Sequence, residues 1–160
     1  MACQCANIKN IIVSGLGGQG VLKVTDILAD VLFRAGYDLK KSEVHGMSQR
    51  GGSVSSEVRY GDCVASPMVP DGECDILAVL QLDQVEVVLG KLRKGGVLIT
   101  PDDIPVDKLF NPKALNMMIL GAISRHIDVP EAWWREAIET AFPEKLREGN
   151  IAMFALGRGC

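Results

Sequence analysis

The run Gly15-Leu16-Gly17-Gly18-Gln19-Gly20 narrows most what this chain can fold into. It follows the apolar segment Ile8 to Ser14 and precedes Val21, Val24, Leu28, Val31 and Ala35, which recur at helical spacing. A nearly continuous apolar run ending in glycine predicts a fully buried strand of a parallel sheet. Strand, glycine turn and helix in that order predict an α/β fold. The same order predicts a phosphate-sized notch of bare N–H groups at the helix N-terminus. Gly36 has the chemistry of a left-handed helix cap, and Asp38 to Val44 returns as a second strand after a right-handed crossover.

A second glycine-rich element, His45-Gly46-Met47-Ser48-Gln49-Arg50-Gly51-Gly52, follows and carries a cation. Ser53 to Tyr60 alternates small or polar with apolar residues, predicting a strand with one solvated face. No helix separates it from its predecessor, so the sheet can be mixed rather than purely parallel. A loop from Ser66 to Cys74 leads to a buried strand at Ile76 to Leu80. Val85, Val88, Leu89 and Leu92 mark a short helix, closed by Lys91, Arg93, Lys94 and Gly95-Gly96. Val97 to Thr100 is the next strand, and Pro101 to Pro112 a proline- and aspartate-rich connection. The last third reads as helical: Leu115, Met118, Ile119 and Ala122 form one stripe. Pro130 opens another helix on which Trp134, Ile138 and Phe142 share a face, and Ile151 to Leu156 forms a terminal segment. The expectation is a three-layer, Rossmann-like α/β domain spanning residues 1–160, with a parallel or mixed sheet and a helical C-terminal third.

Composition removes several classes. With 48% hydrophobic and 23% charged residues the chain is a compact globular sequence rather than a disordered one. A net charge of -3 with scattered Lys and Arg offers no basic stripe for nucleic acid. No apolar run spans a bilayer, and Met1 to Cys5 lacks the regions of a signal peptide, so a cytoplasmic location is expected. Five cysteines, an odd number, are expected to be mostly free thiols. Cys3-x-Cys5 is too closely spaced for a metal clip, and no Cys-x-x-Cys repeat holds an iron–sulfur cluster. His45 and His126 lack metal-ligand spacing, so no metal site is expected.

Gly15-x-Gly17-x-x-Gly20 satisfies a dinucleotide fingerprint, and Glu43 lies slightly beyond the spacing of about twenty residues at which a ribose-binding acid stands. The alternative is that these glycines allow a tight turn or receive a neighbouring subunit's backbone. Gln19 is suited to hydrogen bonding rather than hydride chemistry, and no second nucleotide-binding half fits in the remaining chain. Arg50 between Gln49 and Gly51-Gly52 suits a phosphate or carboxylate, or else pairs with Glu43 or Glu57. Ser48, Ser53, Ser55 and Ser56 form no nucleophile elbow. The ligand- or interface-binding candidates are Gly15, Gly17, Gly18, Gln19, Gly20, His45, Ser48, Gln49, Arg50, Gly51 and Gly52; no residue is assigned as catalytic. Of the adjacent Trp133 and Trp134, one is expected in the core and the other at the surface or an interface.

Gly15 to Gly20, combined with Ser42 to Val54 (Ser-Glu-Val-His-Gly-Met-Ser-Gln-Arg-Gly-Gly-Ser-Val), resembles the gamma subunit or domain of 2-oxoacid:ferredoxin oxidoreductases. The His-Gly-Met-Ser-Gln-Arg-Gly-Gly version is most similar to the beta subunits of indolepyruvate ferredoxin oxidoreductases. Asn116 to Ala122 and Asn150 through Phe154 to Gly157 resemble later motifs of the family, in order. The stretch between Pro101 and Asn116 is shorter than in similar proteins. The resemblance implies oxidative decarboxylation of a 2-oxoacid to an acyl-CoA, with electrons passing to ferredoxin. It implies thiamine diphosphate and iron–sulfur clusters on partner subunits, coenzyme A as co-substrate and no cofactor on this chain. A free-standing nucleotide-binding module and a pure assembly scaffold are the alternatives.

Overall fold

The structure, a computed structural model, describes residues 7–46 and 51–159. Five strands, β1 (Lys9–Leu16), β2 (Asp38–His45), β3 (Ser53–Gly61), β4 (Cys74–Val79) and β5 (Leu92–Ile99), form one sheet in the order β2-β3-β1-β4-β5. β1 pairs parallel with β4 and β4 with β5, whereas β3 runs antiparallel to both β1 and β2. The sheet is therefore mixed, as the missing helix between the second and third strands predicts. The expected crossover from β1 to the second strand exists, but β3 occupies the place between them. With neighbouring strands about 4.8 Å apart, β2 lies roughly 10 Å from β1.

Alternation of side chains sorts the strands between two cores. Ile11, Val13, Ile76 and Ala78 face the larger one, with α1 (Val21–Arg34), α3 (Leu115–Ser124), α4 (Glu131–Ala141) and α5 (Glu144–Arg158). Ile12, Leu77 and Val79 face a smaller one, closed by Val69 and by Val88 of the single-turn helix α2 (Val85–Val88). The second face is thus covered chiefly by the 62–73 connection, which polar contacts hold down. The buried Glu57 carboxylate accepts from Val69 N at 2.7 Å, Lys91 Nζ donates to Val69 O at 3.0 Å, and Arg59 donates to the carbonyls of Ser66 and Met68.

α1 ends where the sequence places its stop. Gly36 is left-handed, Tyr37 N donates to Leu32 O and Gly36 N to Phe33 O, the bond pair of a Schellman cap. Three other expectations change. Leu92 to Gly96 belong to β5 rather than to a helix end, with a register shift between Cys74 and Ile76 absorbing the irregularity. The terminal helix begins at Glu144, seven residues before Ile151; its first two turns are exposed and carry no apolar stripe, so periodicity does not reveal them. β3 is more buried than its alternation suggests, since α1 covers one side and the 62–73 connection the other.

α3 is apolar on every side and buried from Asn116 to Ser124, wedged between the sheet and α5. Backbones touch at that crossing: a Cβ on Gly157 would collide with Met118 O, and one on Gly121 with Phe154 O. Trp134 is fully buried and stacks on Phe154 at 5.9 Å between ring centroids, while Trp133 is partly exposed. Among the described residues no helix is long and apolar enough to cross a membrane.

Candidate functional site

The glycine turn lies between the end of β1 and the start of α1, at the C-terminal edge of the parallel strands. α/β sheets bind ligands at this edge. Gly20 is the residue before the helix, at φ 82°, and no side chain caps α1. Its left-handed backbone and the close approach of Asn116 both require glycine, since a Cβ would collide with Asn116 Nδ2. Asn116 belongs to the first turn of α3 and is 6% exposed.

Gln19 closes the turn on itself. Its Oε1 accepts from Leu16 N at 2.7 Å and fills the space where a Gly15 Cβ would lie, 2.8 Å away. Its Nε2 donates to Gln81 Oε1 at 3.1 Å, just beyond β4. The two glutamine amides bridge the crevice outside β1 and β4, where a doubly wound sheet would seat a nucleotide.

The second glycine element meets the first. Gly17 N donates to Gly52 O at 2.9 Å, and Gly46 N to Ser53 O at 2.7 Å. The expected notch of bare amides is consequently only partly bare. Gly17 N is taken by Gly52 and Gln19 N by Leu16 O, leaving the Gly18 and Gly20 amides without partners among the described residues. Ser48, Gln49 and Arg50, the cationic part of the candidate set, lie outside the described residues.

His45 stands at the end of β2 with Nε2 3.5 Å from Glu43 Oε2. With Leu16, Gly17, Gly18, Gly20 and Val54 it lines a groove of about 360 Å³. A second groove of about 220 Å³ on the other side of the turn is lined by Gly18, Gln19, Leu80 and Lys113. Hydroxyls brace the site: buried Thr25 Oγ1 lies 2.8 Å from buried Ser56 Oγ, and the half-buried Ser55 Oγ donates to the buried Ser14 Oγ at 3.0 Å. These serines are structural ties between α1, β3 and β1.

The two pairing alternatives for Arg50 compete with existing contacts. Glu57 is buried against Val69 N and Lys91, and Glu43 is engaged by Lys41 and His45. Glu43 also sits on the edge strand, two strands from the turn, too far to serve as the ribose acid of a pyrophosphate held there. The residues that sequence reasoning missed are Gln81, Asn116 and Lys113. Gln81 carried a signal, a polar amide directly after a buried parallel strand; Asn116 stood in the sequence only as the first residue of a later family motif, and it and Lys113 reach the turn through tertiary packing.

No group of three or more His, Cys, Asp and Glu side chains suited to a metal occurs among the described residues. The buried Cys74 thiol interacts with Ile76 O and Asn10 O, and burial pushes it up to about 12. That environment does not fit a thiolate ligand of a cluster. His126 is held below its ordinary value by burial and by Arg125, well away from the turn.

Comparison with known proteins places this geometry. The family model described as pyruvate ferredoxin/flavodoxin oxidoreductase matches residues 10–160. The indolepyruvate oxidoreductase subunit IorB of Thermococcus kodakarensis is 44% identical over 190 aligned positions, covering 92% of this chain and 93% of the relative. Its namesake in Archaeoglobus fulgidus is 28% identical, with 92% of each chain covered. Among solved structures, the keto/oxoacid ferredoxin oxidoreductase gamma subunit from Geobacter sulfurreducens superposes with a TM-score of 0.78 at 25% identity, covering 95% of each chain. A 2-oxoglutarate:ferredoxin oxidoreductase from Magnetococcus marinus shares the fold over 30% of its own length, at a TM-score of 0.79 and 20% identity. A match across nearly the whole chain, in sequence and in fold, means that this protein belongs to the pyruvate ferredoxin/flavodoxin oxidoreductase family.

Proposed function

We propose that this chain is the gamma-type subunit of a 2-oxoacid:ferredoxin oxidoreductase, acting on indolepyruvate, pyruvate or a similar acid. It supports oxidative decarboxylation to an acyl-CoA, with thiamine diphosphate and iron–sulfur clusters carried by partner subunits and ferredoxin as electron acceptor. The observation that carries this reading is the joining of the two glycine elements through Gly17 and Gly52 beside the uncapped start of α1. The result is a backbone surface with two amides unpartnered among the described residues, and the described residues beside it contain no nucleophile–base pair. Such a surface can hold an anion or another chain's backbone but does not break bonds. Gly15, Gly17, Gly18, Gln19, Gly20, His45, Gly51 and Gly52 form that surface, which receives the partner and a phosphate of coenzyme A; Ser48, Gln49 and Arg50, outside the described residues, complete the proposed set. The bridging of the crevice by Gln19 and Gln81 favours this over a free-standing nucleotide module.

The test is co-expression with the adjacent candidate thiamine-binding subunit of its own genome. The purified complex is assayed for coenzyme A-dependent viologen reduction with indolepyruvate, pyruvate and 2-oxoglutarate. Activity that needs both chains is expected, and Arg50→Ala is expected to raise the KM for coenzyme A or to weaken assembly. A chain that stays alone, binds NAD at micromolar affinity and supports no activity would refute the proposal. Wild-type coenzyme A kinetics after disruption of both glycine elements, with assembly intact, would leave a pure scaffold.

A further inference from the structure

A cavity of about 440 Å³, larger than either groove at the turn, opens between the residues leading into α3 and the start of α5. Its walls are built from Phe110, Phe142 and Leu146, and its charged lining consists of Lys113 and Lys145 with no carboxylate. Neither lysine forms an ion pair among the described residues, although Lys41, Lys91 and Arg93 all do. Lys23 Nζ adds a third cation nearby, 5.4 Å from the centroid of the Phe142 ring. Phe110 stands 63% exposed and Leu146 46% exposed, so apolar surface projects around the opening rather than closing it. Gly149 makes room for Phe110: a Cβ there would lie 2.9 Å from Phe110 Cζ. The lining includes Asn116, whose buried Oδ1 has no hydrogen-bond partner among the described residues and whose amide nitrogen abuts Gly20.

We propose that this cavity receives an acidic segment of the partner oxidoreductase subunit, bearing one aromatic or long aliphatic anchor. The inference rests on the subunit role proposed above and names where the partner docks. Charge decides the sign of the occupant: unpaired lysines without a carboxylate among the lining residues attract an anion and repel a basic segment. Exposure decides its size. A small molecule seated inside would cover only the faces of Phe110 and Leu146 that line the cavity, whereas a chain crossing the opening also covers their outward faces. Asn116 then joins the docked segment to the glycine turn, so assembly and the geometry at Gly20 share one side chain.

The experiment measures the dissociation constant of the two-chain complex, with the thiamine-binding subunit immobilised and circular dichroism verifying that each variant is folded. Lys113→Glu combined with Lys145→Glu is expected to weaken binding at least tenfold, and Phe110→Ala comparably. Lys113→Arg with Lys145→Arg should retain it, and Lys94→Glu on β5 should leave it unchanged. Wild-type affinity in the double charge reversal and in Phe110→Ala overturns this inference while leaving the subunit role intact. Equal weakening by Lys94→Glu also overturns it, because the effect would then be one of net charge. Failure of the wild-type chains to assemble refutes the subunit role itself and this inference with it. Binding of indole-3-acetate by the lone chain, lost in Phe110→Ala, with assembly unaffected by the variants, would replace the partner segment by a small aromatic anion.

Discussion

Replacing Gly20 by alanine isolates the contact that ties the glycine turn to α3. Two costs add at that position. The left-handed backbone at φ 82° costs a residue with a Cβ about 1–2 kcal/mol. The new methyl group would also collide with Asn116 Nδ2, and Asn116 is buried with little room to retreat. Forcing extra volume into such a site costs about 1–3 kcal/mol. Gly18→Ala supplies the reference, because Gly18 is equally left-handed at φ 89° but has nothing within 4 Å of its would-be Cβ. Gly18→Ala should therefore lose about 1–2 kcal/mol, and Gly20→Ala about 2–5 kcal/mol. For a chain of this length each kcal/mol lowers Tm by about 2–4 °C. The third variant is Gly20→Ala with Asn116→Ala. It removes the colliding nitrogen and leaves the Asn116 Cβ 3.6 Å away, an ordinary contact. The double variant should recover about 1–3 kcal/mol relative to the sum of the singles. Urea unfolding followed by circular dichroism at constant m reads the wild type, the single variants Gly18→Ala, Gly20→Ala and Asn116→Ala, and the double variant. Equal losses for Gly18→Ala and Gly20→Ala, or strict additivity in the cycle, would refute the reasoning.

Other consequences follow from the same packing. Gly157→Ala should destabilise by more than about 3 kcal/mol or abolish soluble expression, because its Cβ meets the Met118 backbone rather than a movable side chain; a Tm within 3 °C of wild type, roughly 1 kcal/mol, would contradict this. Glu57→Ala leaves Val69 N without its acceptor and Lys91 with only the exposed Asp71 as ion-pair partner, costing about 1–3 kcal/mol and exposing the 62–73 connection to limited proteolysis. Cys74 should resist iodoacetamide at pH 8 until the chain is unfolded in urea, and labelling of the native protein at the rate of a free thiol would show otherwise. Burial also raises the Tyr60 hydroxyl to about 12, so both groups keep their protons in the folded state and release them earlier when unfolded. Their contribution is complete below the unfolded values and lost as pH climbs from about 9 toward 12. Unfolding free energy should fall across that window, less steeply in Cys74→Ala.

Much of the architecture is legible along the chain because it depends on local pattern. The apolar run of β1, the glycine turn, the helical spacing of α1 and the Gly36 stop are each set by neighbours in sequence. The mixed sheet followed from the absence of a helix before β3. What lay beyond local pattern was decided by partners far along the chain. β3 rather than β2 lies beside β1, a choice made by pairing and by the burial α1 and the 62–73 connection provide. α5 reaches back to Glu144 with two exposed turns that no apolar periodicity announces. At the site, the sequence determined which backbone could turn and which side chains were polar. Tertiary structure decided which amides were left free. Gly52, 35 residues beyond Gly17, takes one N–H, and Gln81 and Asn116 arrive from strands and helices the turn cannot see. Hydrogen bonds and excluded volume act through space, so a motif specifies its own conformation while the rest of the fold determines what it can still bind.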